Sequence, residues 1–92
     1  MNITDTARDF ILQVLSEQKA NNIRVIWAGY GWGGPKVDVS LDEPQGEDIV
    51  EQINGVRVAF ENRIYKHMED RALDLQKTPS GEGIVIVGGE SC

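Results

Sequence analysis

Residues 28–44 read AGYGWGGPKVDVSLDEP. Four glycines and Pro35 surround Tyr30 and Trp32, and an alternating run then leads into an acidic turn. Upstream, Ile23 to Tyr30 is rich in β-branched and aromatic residues, the composition of a strand. Downstream, Val37, Val39 and Leu41 alternate with Asp38, Ser40 and Asp42, which predicts a second strand with one dry face and one wet face. Glycines between two strands serve one of two ends. They let a ligand or partner approach the backbone closely, with Tyr30 and Trp32 as contact aromatics. Otherwise they satisfy the positive φ angles of a tight connection, with the aromatics packed on the core. The segment leads through Pro35 into a strand and not into a helix N-terminus, so it lacks the context of a phosphate-cradling loop.

On the N-terminal side, Ala7, Phe10, Ile11, Val14 and Leu15 fall at i, i+3, i+4, i+7 and i+8, one apolar stripe of a helix. Thr4 is the expected N-cap, Asp5 suits the positive end of the helix dipole, and Asn21-Asn22 is the expected stop. On the C-terminal side, EPQGED reads as a turn. Asp48–Ile53 and Val56–Glu61 flank Asn54-Gly55, a strong short-range hairpin signal. Val56, Val58 and Phe60 point one way; Arg57, Ala59 and Glu61 point the other. A short helix is expected over Asn62–Met68 with Asn62 as N-cap. A strand is expected over Ala72–Gln76, a turn over TPSGEG, and a short apolar strand over Ile84–Val87. Residues 88–92 are expected to form a flexible tail. The sum is a single α+β domain spanning residues 1–92, an N-terminal helix followed by a mostly antiparallel β structure.

Composition bounds the function. Hydrophobic and charged fractions of 40% and 26% are those of an ordinary globular domain. No apolar run approaches the roughly 18 residues of a membrane span, so no membrane association is expected. The start, MNITDTARDF, has neither a basic region nor an apolar core, so no secretory signal is expected and the protein is placed in the cytoplasm. The net charge of −6 repels phosphate backbones and argues against nucleic-acid binding. Asp38, Asp42, Glu43, Glu47 and Asp48 cluster around the turn, as a solvated acidic turn by default, or else as a weak cation site or a face for a basic partner.

The single cysteine, Cys92, excludes an internal disulfide and any all-cysteine metal site within one chain. As the last residue it is expected to be exposed, so that its thiol can react, bridge chains or meet a second copy as a pair of metal ligands; the alternative is an inert terminal cysteine. The one histidine, His67, lies in YKHMED, where a solvated helix end outweighs a metal site. No Ser, His and Asp constellation is visible, so an enzyme is not expected.

The order of helix, strand, glycine loop, strand ending in Asp42-Glu43-Pro44, Gly55-Val56 hairpin, short helix, strand and Gly89-Glu90-Ser91 resembles the HesB-like family, the A-type iron–sulfur carriers. The resemblance covers nearly the whole chain. In that family, one cysteine lies in the glycine loop in a pattern like S-G-C-S-G, and two lie near the C-terminus in C-G-C-G-x-S. Thiolates suit iron and sulfide because they are soft, electron-rich ligands. Here Trp32 or a neighbour stands at the first cysteine place, Ile86 and Gly88 stand at the other two, and Cys92 falls just past them.

The resemblance implies a binding or carrier role in iron–sulfur cluster assembly, with iron or a cluster held between subunits of a homodimer through Cys92. Gly88, Gly89, Glu90 and Ser91 form the tail around it, and the partners are assembly or acceptor proteins. The competing implication is a non-metal interaction module that kept the scaffold and uses Tyr30, Gly31, Trp32, Gly33 and Gly34 as a contact surface.

Overall fold

The computed structural model describes residues 1–31 and 34–88. The elements in chain order are β1 (Asn2–Ile3), α1 (Asp5–Gln18), β2 (Ile23–Gly31), β3 (Gly34–Ser40), β4 (Ile49–Ile53), β5 (Val56–Phe60), a 3₁₀ helix (Asn62–Met68), β6 (Arg71–Thr78) and β7 (Gly81–Gly88). The strands form two sheets, one of order β1-β6-β7 and one of order β3-β2-β5-β4. The hairpins β2–β3, β4–β5 and β6–β7 are antiparallel; β1 with β6 and β2 with β5 pair in parallel. The expected α+β class, an N-terminal helix followed by mostly antiparallel strands, is what the chain adopts.

Helix α1 begins where the sequence predicts. The Thr4 hydroxyl accepts a hydrogen bond from the Ala7 N–H at 3.3 Å, which satisfies one of the free donors of the first turn. The helix ends at Gln18, within a residue of the expected stop after Lys19, but a different residue caps it. Lys19, not Asn21 or Asn22, takes the left-handed conformation at φ 56°, and its N–H closes on the Leu15 and Ser16 carbonyls. Asn22 is engaged elsewhere: it is buried, and its Nδ2 donates to the Ile23 and Asp42 carbonyls, tying the helix exit to the turn after β3.

The glycine stretch is not a loop between strands; most of it is strand. Beyond a register shift between Trp27 and Gly29, β2 and β3 stay paired through Gly29↔Lys36, Tyr30↔Pro35 and Gly31↔Gly34. Gly29 sits at the bulge with φ +112°, a conformation L side chains rarely adopt. The tip residues Trp32 and Gly33 lie outside the described residues.

The second hairpin follows the Asn-Gly signal. Asn54 and Gly55 both have positive φ, 50° and 83°, as a turn matched to strand twist requires. Val56, Val58 and Phe60 are buried as expected, but Ala59 on the opposite face is buried as well. It is the Cα partner of both Arg24 and Val50, beside the Arg24–Asp48 ion pair. The segment after β5 is a 3₁₀ helix whose N-cap is Glu61, with no side-chain capping bond. Asn62, expected as the cap, instead donates to the Glu47 carbonyl.

Strands β6 and β7 are longer than the sequence suggests. The expected TPSGEG turn shrinks to Pro79-Ser80, because the Thr78 hydroxyl bonds the Gly81 carbonyl at 2.9 Å and Gly81 takes φ +134°. Strand β1 carries no signal in the sequence: two residues cannot display a period. Gly88, expected to open the tail, ends β7 opposite Arg71, and residues 89–92 lie outside the described residues.

The core joins both sheets to α1: Ile3, Ala7, Ile11, Leu15, Ile23, Val25, Val56, Val58, Phe60, Ile64, Met68 and Leu73 form one buried cluster. Among the described residues no helix is long and apolar enough to cross a membrane. Asn54 links the hairpin to the N-terminal segment. Its Nδ2 donates to the Ile3 carbonyl at 2.9 Å and to Asp5 at 3.0 Å, and Arg8 donates to its Oδ1. Asn54→Gly keeps the turn and loses these bonds, costing about 1 kcal/mol; Asn54→Ala also strains the positive φ and costs about 2 kcal/mol. Urea unfolding of the two variants checks the order.

Candidate functional site

The β2–β3 hairpin, which carries the glycine stretch, and strand β6, which pairs with β7, both pack on one short element. The 3₁₀ helix packs against β2, β3 and β6. Strand β6 opens at Arg71, whose Cα partner is Gly88 at the end of β7. The β2–β3 hairpin and strand β6, which opens at the Arg71–Gly88 corner, are therefore joined through the same helix.

The hairpin is fastened at its base. The regular β2–β5 ladder ends at Val25↔Phe60, and the Glu61 N–H still bonds the Val25 carbonyl at 2.8 Å. One step on, the Glu61 carboxylate replaces a strand: it accepts the Trp27 backbone N–H at 3.0 Å. Arg63 donates to the same carboxylate oxygen at 3.0 Å, and its guanidinium lies 4.1 Å from the centroid of the Trp27 ring, a cation–π contact. The indole N–H donates to the Gly29 carbonyl at 2.7 Å across the bulge. Arg63 and then the Trp27 N–H hold the Glu61 carboxyl below the usual carboxylate range, against the effect of burial.

A second charged pair lies beside the first. Arg24 Nε and Nη2 grip the two oxygens of Asp48 at 2.6 and 3.0 Å, and both side chains are nearly closed to solvent. The Gln45 N–H adds a third bond to Asp48. Asp48 is lowered by the Arg24 bond first, in spite of burial, and Arg24 is raised by the same bond. The 45–48 turn, these pairs and the start of the 3₁₀ helix line an open cleft of about 470 Å³. Tyr65 on the helix sets its ring edge-on to Phe60 at 5.2 Å and donates to the Glu51 carboxylate, which pushes the phenol upward.

Sequence reasoning missed Arg24, Glu61 and Arg63. The available signal was a lone arginine inside an apolar strand, Ile23-Arg24-Val25. Asp48, read as part of an acidic turn, is instead buried against Arg24. Asp38 and Asp42 bond locally, to the Val39 N–H and the Ser40 hydroxyl, and His67 is exposed. Among the described residues no three His, Cys, Asp or Glu side chains converge on one point. Of the expected contact and tail residues, Tyr30, Gly31 and Gly34 lie in the paired hairpin and Gly88 ends β7. Trp32, Gly33, Gly89, Glu90, Ser91 and Cys92 lie outside the described residues.

No family model matches the chain. An uncharacterized protein of Bradyrhizobium diazoefficiens is 28% identical over 89 residues, spanning 94% of this chain and 84% of its own length. Three solved structures share the arrangement of elements. A crystal structure of IscA with the 2Fe–2S cluster matches with TM-score 0.75 at 18% identity, over 95% of this chain and 83% of that one. Escherichia coli SufA, involved in the biosynthesis of iron–sulfur clusters, matches with TM-score 0.69 at 16% identity over the same shares of the two chains, 95% and 83%. A protein from Aquifex aeolicus matches with TM-score 0.65 at 23% identity, over 96% of this chain and 90% of that one.

The chain has the HesB-like fold.

Within this HesB-like frame, two of the three places that the resemblance assigns to cysteines are described, and neither is a vacant ligand position. Ile86 packs against the core opposite Leu73. Gly88 has φ +80°, and a Cβ built there meets the Asp70 carbonyl oxygen at 2.9 Å. A thiolate at residue 88 would require that backbone to move. The donor set of the described residues therefore does not fit a cluster held within one chain.

The electrostatics give two outcomes. Asp48→Ala leaves a buried guanidinium unpaired and costs about 3 kcal/mol, read from urea unfolding. Asp48 and Glu61 both have depressed carboxyl pKa values in the fold. Their stabilisation is complete at neutral pH, starts to fall near pH 4, where unfolded carboxyls protonate, and is lost as pH drops through the folded values. Unfolding midpoints from pH 7 to 2 show this loss, and Asp48→Asn, already weaker at pH 7, has the shallower slope.

Proposed function

We propose that the protein is a non-catalytic binding or carrier protein of iron–sulfur cluster assembly, taking iron or a cluster as cargo between two subunits. The observation that supports this reading is the overlay with IscA, whose crystal structure holds a 2Fe–2S cluster, along 95% of this chain. In this reading Cys92 is the protein ligand. One thiol per chain gives two per homodimer, while a 2Fe–2S cluster takes four ligands. The remaining two come from an assembly or acceptor protein, or from a small cytoplasmic thiol. The Tyr30–Gly34 hairpin tip and the Gly88–Ser91 segment form the surroundings of the cargo.

A second reading has its own observation. Ile86 and Gly88 fill ligand places with core packing and a backbone crossing, while Glu61 and Arg63 hold the base of the hairpin in one pose. A scaffold of that kind serves as a protein-interaction module, with Tyr30, Gly31, Trp32, Gly33 and Gly34 as the contact surface.

Anaerobic reconstitution with iron and sulfide separates the two. A carrier takes up a visible chromophore and about one iron per chain, and Cys92→Ser abolishes both. If parent and variant stay equally colourless, the carrier reading fails. The module reading then expects Trp32→Ala to fold normally and lose partner binding.

A further inference from the structure

Arg71 is the first residue of β6, and its ladder position places it on the same face as Leu73, at the rim of the core. Its side-chain Nε is buried and, among the described residues, has no hydrogen-bond acceptor. The chain's other guanidinium groups are accounted for among the described residues. Arg8, Arg24 and Arg63 each meet a carboxylate, and Arg57 is exposed on β5. The nearest acids in sequence, Glu69 and Asp70, are exposed and supply nothing to Arg71 Nε. A buried donor left unmade costs about 1–3 kcal/mol, more for a charged group, and roughly nine in ten buried polar groups are satisfied.

Arg24 shows what the group is shaped for. There the Nε and Nη2 edge takes both oxygens of a carboxylate at 2.6 and 3.0 Å. That planar two-donor fork matches a carboxylate in both spacing and charge. Arg71 offers the same fork with its Nε unfilled. The residue as a whole is half-buried and its Nε is closed to solvent, so receiving a carboxylate requires the side chain to turn its fork outward. The surroundings are tight: Gly88 passes so close to the Asp70 carbonyl that no side chain fits, so β7 ends in glycine directly across from Arg71. The corner adjoins the 3₁₀ helix and, through it, the glycine hairpin.

We propose that Arg71 is a carboxylate-binding residue, receiving an acidic side chain or chain terminus of a docking protein, or a free small carboxylate. The proposal does not depend on cargo being bound. An acidic chain of net charge −6 repels anions in general, so a carboxylate held here is held by this fork.

The test follows the side-chain Nε–H resonances of Arg71 and Arg57 by NMR while sodium formate is added to the whole apo protein, with sodium chloride at equal ionic strength as control. The expected result is a saturable shift of Arg71 alone, absent with chloride, and its loss in Arg71→Lys, which keeps the charge and lacks the fork. A short acidic peptide that saturates the same resonance at about tenfold lower concentration than formate assigns the site to a protein partner. Equal affinities assign it to a free carboxylate. If Arg71 does not respond, or drifts in parallel with Arg57 in formate and chloride alike, the proposal is overturned. None of these outcomes depends on iron uptake, so the carrier reading and this site fail separately.

Discussion

The parallel pairing of Ile23–Val25 with Val58–Phe60 is three residue pairs long, and the rest of the structure hangs on it. It joins two antiparallel hairpins, β2–β3 and β4–β5, into one sheet. On its inner face it buries Ile23, Val25, Val58 and Phe60 almost completely. On its outer face it sets Arg24 beside Ala59, where the bidentate bond to Asp48 closes the ladder from above. Parallel pairing cannot be closed by a tight turn, so its stability rests on packing and on these side-chain bonds. Where the ladder runs out, Glu61 continues it with a carboxylate in place of a strand and hands the hairpin to Arg63 and Trp27. One short joint thus fixes both the core and the pose of the segment that looked most functional.

Much of this was legible in the sequence where a residue type answers to a local physical demand. Asn54-Gly55 announces its hairpin because few other residues take two positive φ angles in succession. Thr4 and the 3.6-residue stripe announce α1 because capping and burial act within one element. The rest depends on partners far apart in sequence. Nothing local shows that β2 lies beside β5, or that Arg24 finds Asp48. Strand β1 is too short for a pattern and exists because β6 pairs with it. Asn62 has the chemistry of a cap, but the chain turns at Glu61 and uses Asn62 to hold Glu47.

The glycine stretch shows the same division. Its composition suggests a loop, and the fold draws most of it into a paired hairpin, with Gly29 absorbing the bulge. The family resemblance located the fold correctly from the order of elements and departed at the cysteine places. Structure explains part of that departure: Ile86 is committed to the core, and the backbone at Gly88 leaves no room for a side chain. What remains at this end is a different chemistry, two aromatic rings, Trp27 and Tyr65, held by charged bonds, and Arg71, whose buried Nε has no acceptor among the described residues.

The central claim is that the β2–β3 hairpin, the 3₁₀ helix and the Arg71–Gly88 corner act as one binding end of the molecule. Backbone amide NMR spectra recorded before and after anaerobic addition of iron and sulfide, and then of an acidic peptide, test it directly. The account predicts that with at least one of the two additions the shifts concentrate at residues 29–36, 61–71 and 86–88, while α1 and the Pro79-Ser80 turn stay unchanged. Shifts centred on α1 or on that turn, or no localised shift with either addition, would contradict it.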